Sequence, residues 1–134
     1  PLDRRDVDLM LQSFKISPNR QRVEIAQFLF QKPQHLSAEK ILDGVTSAGN
    51  RVSRATVYNT MGLFASKGVV REVLIDRERV FYDSNTRSHQ HLYNVDTGEL
   101  TDIYDADIEM IAQPDVPEGL KLVDKDIVFK VRSA

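Results

Sequence analysis

The chain has no cysteine among its 134 residues. That excludes disulfides, thiolate zinc sites and iron–sulfur clusters, so any metal it holds must be bound by nitrogen and oxygen. Long apolar runs are missing too: nothing approaches the roughly 20 residues of a bilayer span, and Pro1-Leu-Asp-Arg-Arg-Asp6 is not the start of a signal peptide. A cytoplasmic protein without membrane contact is the expectation, with residue 1 open to being a truncation boundary. Net charge is small at −2, but it is unevenly spread. Residues 1–82 carry 13 Lys and Arg against 9 Asp and Glu, a balance of +4, while residues 83–134 carry 5 against 11, a balance of −6. A basic nucleic-acid-binding lobe joined to an acidic second lobe would show this split, although small imbalances also arise without any ligand.

Histidine is scarce, and all three copies fall into one pattern with two aspartates: His35, Asp83, His89, His91 and Asp102. A His-x-His pair on an extended strand points both imidazoles to one face, because side chains alternate with a period of two. The five positions read as a metal site tying distant segments together. A set of three imidazoles and two carboxylates suits Fe(II) or Mn(II), and Zn(II) or Co(II) can enter it in vitro.

The first lobe reads as helices followed by a hairpin. Val7, Met10, Leu11 and Phe14 recur at helical spacing. Ser17-Pro18 supplies a cap and a first-turn proline for a second helix, which Lys32-Pro33 stops. Ser37 caps a third helix carrying Ala38, Ile41, Leu42 and Val45, and Ala48-Gly49-Asn50 is the turn after it. Ser53 caps a fourth, Arg54 to about Ser66, with Val57, Met61 and Phe64 on one stripe. Its other side bears Ala55, Thr56, Tyr58, Asn59 and Gly62, small and lightly charged groups that suit a major groove. Alternation from Val69 to Ile75, the polar turn 76–79 and the strand Val80-Phe81-Tyr82 complete a winged helix. An ordinary helical hairpin, or a winged fold serving protein interaction, would show the same periodicity. Basic residues at the helix starts, among them Lys15, Arg20, Arg22, Arg51 and Arg54, favour DNA.

The second lobe is shorter. Leu92 to Val95 and Glu99 to Ile103 flank the hairpin signal Asp96-Thr97-Gly98, residues 105–112 read as a helix, 114–119 as a loop, and Ile127 to Val131 as a closing strand. A lobe of about 50 residues is marginal alone, so self-association into a homodimer is expected. The fold class is therefore α+β, an N-terminal winged helix-turn-helix followed by a small α/β dimerisation domain. Its expected parts are a DNA-binding domain at 1–82, a linker at 83–88, and a dimerisation and metal-binding domain at 89–134.

The segments Ile16-Ser-Pro-Asn-Arg20, His35-Leu-Ser-Ala-Glu39, Ser53-Arg-Ala-Thr-Val-Tyr-Asn59, Phe81-Tyr-Asp83 and His89-Gln-His91 together resemble the ferric uptake regulator family over nearly the whole chain. Asn59, Asp83 and Asp102 resemble its peroxide-responsive repressors, whereas Pro114 to Gly119 and Phe129-Lys-Val131 resemble its iron response regulators. The resemblance implies a metal-responsive repressor of iron-homeostasis or peroxide-stress genes, acting as a homodimer on a palindromic A·T-rich operator. It implies a regulatory metal at His35, Asp83, His89, His91 and Asp102, and DNA contacts from Lys15, Arg20, Arg54, Thr56, Tyr58 and Asn59, with Tyr58 against a base and Lys15 toward a minor groove. Iron in such a site can also sense peroxide by oxidising His35 or His89. Haem is a further signal open to an iron response regulator, and here only the His89/His91 region could serve it.

Two departures from the family pattern stand out. Asn94 and Thr97 occupy the place of the first cysteine pair of a structural zinc, so that zinc is absent. Ser88, Gln90 and Lys125 replace ligands of a further nitrogen/oxygen site, of which only Glu109 survives. The alternative reading is a haem- or iron-status-responsive regulator that binds DNA without metal, and a remoter one is an enzyme, a non-haem iron oxygenase built on two histidines and a carboxylate. Five protein donors leave it little room for substrate and oxygen, and no acid, base or nucleophile stands by. A regulator, not an enzyme, is expected.

Overall fold

In the computed structural model, residues 2–87, 89–104 and 114–134 are described, and they form two compact units, 1–86 and 87–134. In the first, helix α1 (Arg4–Ser13) starts where Asp3 and Asp6 cap one another, each side chain accepting from the other's backbone N–H. Helix α2 (Arg20–Leu29) starts two residues later than Ser17-Pro18 suggests. Its cap is Asn19, whose Oδ1 accepts from Arg22 N at 2.8 Å, while the Ser17 carbonyl accepts from the Arg22 guanidinium. Asn19 itself takes the extended angles of a cap (φ −144°, ψ 173°), so Ser17 and Pro18 precede the helix and do not open it. Ser37 and Ser53 cap helices α3 (Ala38–Ser47) and α4 (Arg54–Lys67) as expected, accepting from Lys40 N and Thr56 N.

These helices bury one continuous apolar cluster. Val7 and Leu11 of α1, Val23, Ile25, Ala26 and Leu29 of α2, Ile41 and Val45 of α3, and Val57, Met61 and Phe64 of α4 all belong to it. The α4 stripe read from spacing thus faces inward, joined by Thr60, while Ala55, Tyr58, Asn59 and Gly62 stay exposed. The wing follows as β2 (Arg71–Leu74) and β3 (Val80–Asp83), antiparallel from Arg71↔Asp83 to Leu74↔Val80. Its tip is closed by Asp76, which accepts from Glu78 N and Arg79 N. A two-residue strand absent from the sequence reading, β1 (His35–Leu36), adds to the other edge of β3 and gives the sheet order β1-β3-β2.

The second unit holds a mixed sheet of order β5-β4-β6. Strand β4 (His89–Asn94) starts at the first ligand candidate, three residues earlier than the apolar alternation suggests; it pairs antiparallel with β5 (Leu100–Tyr104) and parallel with β6 (Val128–Val131). Gly98 at φ 76° makes the β4–β5 turn. Asn94 organises it, its Oδ1 accepting from Asp96 N at 2.9 Å and Thr97 N at 3.2 Å, and the Thr97 hydroxyl accepts from Glu99 N. The two residues standing in place of a cysteine pair therefore build a hydrogen-bonded turn. Gln90, another replaced ligand position, is buried and clamps the approach to β6, its Oε1 accepting from Ile127 N at 2.7 Å and its amide donating to Lys125 O. The helix expected at 105–112, with Glu109, lies outside the described residues, as does Ser88. Among the described residues no helix is long and apolar enough to cross a membrane.

Candidate metal centre and nucleic-acid interface

The five expected metal ligands fall into two groups, each inside one unit. In the first unit, His35 and Asp83 are direct partners in the β1–β3 register. Asp83 is buried, with Oδ1 accepting from Asn85 N at 2.9 Å, and His35 stands edge-on to Phe81 with ring centroids 6.4 Å apart. The strand that carries His35 is held by Ser84, whose N–H donates to Gln34 O and whose hydroxyl accepts from Gln34 N.

In the second unit, His89 and His91 lie on one face of β4, as period-two alternation requires, and Asp102 of β5 is the cross-strand partner of His91. Asp102 Oδ1 is 3.5 Å from both His89 Nε2 and His91 Nε2. The imidazoles are 0% and 3% exposed. Placing two imidazoles in a sheet interior costs free energy unless their nitrogens have partners. His89 shows how its ring is set: Nδ1 lies 2.5 Å from the carbonyl of Arg87. A carbonyl only accepts, so Nδ1 carries a proton, and Nε2 is the nitrogen turned toward the Asp102 carboxylate. Metal-ligating histidines are oriented in this way, by a carbonyl on the far nitrogen.

Nitrogen and oxygen donors about 2.0–2.2 Å from a common centre lie about 3–3.5 Å from one another in octahedral or tetrahedral arrangements. The 3.5 Å separations here are of that size. His89, His91 and Asp102 fit a divalent cation with little movement.

The expected DNA contacts lie on the first unit. Arg54, Tyr58 and Asn59 are exposed along α4, and Thr56 is partly so. Sequence reading missed Glu39, on the first turn of α3, which accepts from both the Arg54 guanidinium and the Tyr58 hydroxyl. An exposed glutamate near a helix start reads as dipole complement, and nothing in its spacing signals a partner on another helix. Arg20, at the start of α2, donates to Glu24 at 3.2 Å and to the Arg51 carbonyl at 3.5 Å.

Lys15 carries the least expected backbone. Helices α1, α3 and α4 end in the same closure: Ile16 N–H to Leu11 O, Asn50 N–H to Val45 O, and Val69 N–H to Phe64 O. The left-handed residue in it is Gly49 after α3 (φ 89°) and Gly68 after α4 (φ 83°), but Lys15 after α1 (φ 61°). A side chain there costs about 1–2 kcal/mol relative to a right-handed residue. Glycine, which serves twice in this chain, would avoid that cost. An outlier of this kind points to a role for the side chain.

A family model described as the ferric uptake regulator family matches residues 12–130. The chain is 39% identical over 114 residues to the ferric uptake regulation protein of Pseudomonas aeruginosa, covering 83% of this chain and 85% of that protein. It is 26% identical over 99 residues to the peroxide-responsive repressor PerR of Staphylococcus epidermidis, covering 74% and 65%. The solved ferric uptake regulator from Pseudomonas aeruginosa with manganese matches at a TM-score of 0.75 and 29% identity, covering 94% and 96% of the two chains. With its winged helix, its small α/β second unit and its grouped His/Asp donors, this chain belongs to the ferric uptake regulator family of dimeric, metal-responsive DNA-binding transcription regulators, and it is not an enzyme.

Proposed function

We propose that the chain is a repressor whose operator affinity is set by one divalent cation held by His35, Asp83, His89, His91 and Asp102. The observation that carries this reading is the buried pair His89 and His91, with Nε2 atoms converging on Asp102. His35 and Asp83 are already paired across β1 and β3, and Asp83 precedes His89 by six residues. Six residues span at most about 22 Å, so the tether alone keeps the two donor groups near one another. Manganese in the 29%-identical solved relative supports Mn(II) or Fe(II) as the ion. Donors of this type also admit Zn(II).

In this reading residues 1–82 bind DNA, 83–88 link, and 89–134 dimerise and hold metal. When bound, the cation supplies a positive centre that donors from both sides of the linker share. Sharing restricts the freedom of the linker, and with it the spacing of two recognition helices in a dimer, which must match the half-sites of a palindrome. A hundredfold preference of the cation for one arrangement corresponds to about 2.7 kcal/mol of coupling, enough to switch an operator. On DNA, Tyr58, Asn59, Thr56 and Arg54 of α4 face the groove of an A·T-rich palindrome, and Lys15 and Arg20 approach the backbone or minor groove. The left-handed backbone of Lys15 supports its part in this. Exposed Tyr104, Leu120, Leu122, Val123 and Phe129 supply apolar surface for the dimer.

The test is operator binding with Mn(II) titrated into wild type, His89→Ala and Asp83→Ala. Both variants are expected to lose the metal-dependent gain while keeping the circular dichroism of the parent. Metal-dependent binding that survives either substitution would contradict the ligand assignment. A second reading, peroxide sensing, is favoured by the likeness to a peroxide-responsive repressor. It predicts a mass gain of one oxygen on His35 or His89 when Fe(II)-loaded protein meets peroxide.

A further inference from the structure

Helices α3 and α4 are joined at their exposed N-terminal ends by a residue that the metal chemistry does not use. Glu39 stands on the first turn of α3, where a negative charge suits the helix dipole. That alone would ask nothing more of it. Its Oε1, however, accepts from two donors on α4: the Arg54 guanidinium, and the Tyr58 hydroxyl at 3.1 Å. Tyr58 is 46% exposed, so its phenol is anchored at one point and open to a ligand elsewhere.

A phenol has one proton to donate and lone pairs with which to accept. A hydrogen bond to a carboxylate is roughly twice as strong as one between neutral groups. The Tyr58 hydroxyl therefore keeps its proton directed at Glu39 when a neutral base edge approaches, and it offers only lone pairs to the groove. Hydrogen-bond donors in the major groove are the N6 amino group of adenine and the N4 amino group of cytosine, whereas the corresponding edges of guanine and thymine carry keto oxygens. The geometry points to Glu39 as a positioning residue that makes the Tyr58 hydroxyl an obligate acceptor, so that α4 selects an amino base, adenine or cytosine, over a keto base at the position Tyr58 faces.

This inference rests on reading α4 as the DNA-reading helix, and the experiment separates the two. Duplexes are selected from a randomised pool by Mn(II)-loaded wild type, the best one is varied a base pair at a time, and Kd is measured for wild type, Tyr58→Phe, Glu39→Ala and Glu39→Gln. Tyr58→Phe is expected to level an amino-over-keto preference of about fivefold at one position in each half-site, the size of a single net hydrogen bond. Glu39→Ala should level the same preference at the same position, because the released hydroxyl can donate to a keto oxygen as well as accept. Glu39→Gln should reduce it: the neutral amide oxygen, held toward Tyr58 by Arg54, competes with a keto oxygen for the phenol proton without the advantage of charge. Equal weakening at every base pair in Glu39→Ala, a preference left intact there but levelled in Tyr58→Phe, or a preference undiminished in Glu39→Gln would each overturn the role of Glu39 and leave the DNA reading standing. Absence of any base preference sensitive to Tyr58→Phe overturns the base-reading role of Tyr58 and this inference with it. Failure of the wild type to select any duplex overturns both the inference and the proposed function.

Discussion

The two units bury different chemistry. The first encloses a continuous aliphatic and aromatic cluster contributed by four helices and the wing, with Leu11, Leu29, Ile41, Met61 and Phe64 fully sequestered. In the second, the buried residues among those described are Tyr93 and Leu100 together with His89, Gln90 and His91. Hydrophobic burial of the first kind needs no ligand, since each large side chain removed from water contributes about 1.5–3 kcal/mol. Burial of the second kind is favourable only while nitrogens and amides have partners. In the proposed reading this contrast divides the labour: a reading head held mainly by apolar burial, and a second unit in which polar side chains make up much of what is buried.

The largest expected effect breaks the first side of this comparison. Phe64→Ala should cost about 3–5 kcal/mol through transfer and cavity terms, and urea denaturation with and without Mn(II) should give the same loss. A loss that added metal reverses would mean that the first unit is not self-sufficient. In the second unit, Gln90→Ala removes the acceptor of Ile127 N and should cost about 1–3 kcal/mol, read as faster amide exchange in β4 and β6 with α1 to α4 unchanged. Exchange spreading into the helices would join what the comparison separates.

Smaller still is Lys15→Gly. Releasing the left-handed side chain should leave stability unchanged or raise it by up to about 1 kcal/mol, while DNA affinity falls and its salt dependence becomes shallower by about one phosphate contact. A stability loss would remove the argument that this backbone is retained for DNA. Least is the effect of Tyr82, whose pKa is raised by burial and then by the negative charge of Glu72 and by Tyr58. The stability its neutral form contributes is full below the ordinary value of about 10 and is lost as pH rises through the higher folded value. Unfolding followed from pH 9 to pH 11 should steepen in wild type relative to Tyr82→Phe.

Much of this was legible in sequence where local chemistry and period agree. Ser37 and Ser53 precede apolar repeats at helical spacing and do cap α3 and α4. His-x-His placed its rings on one face because strand alternation admits no other result. Where two local signals compete, the reading slipped: Ser17-Pro18 outshone Asn19, which caps α2. Features made by tertiary pairing left no local trace. The strand His35–Leu36 exists because β3 offers it an edge, the parallel pairing of β6 with β4 joins residues more than 30 apart, and Glu39 meets Arg54 and Tyr58 across a helix pair. In β4 the apolar alternation begins only at Leu92, because His89 and Gln90 are buried polar residues, and it is the His-x-His spacing that marks the start of the strand.

In the proposed function, a cation held by nitrogen and oxygen donors in a cysteine-free chain controls DNA binding. The most direct test is fluorescence anisotropy of a palindromic A·T-rich duplex with chelator-treated protein, then with Mn(II) added anaerobically while ion stoichiometry is followed by calorimetry. One ion per chain is expected, with a gain in affinity of about a hundredfold that tracks site occupancy. Tight operator binding by the metal-free protein, unmoved by a bound ion, would contradict the proposed function.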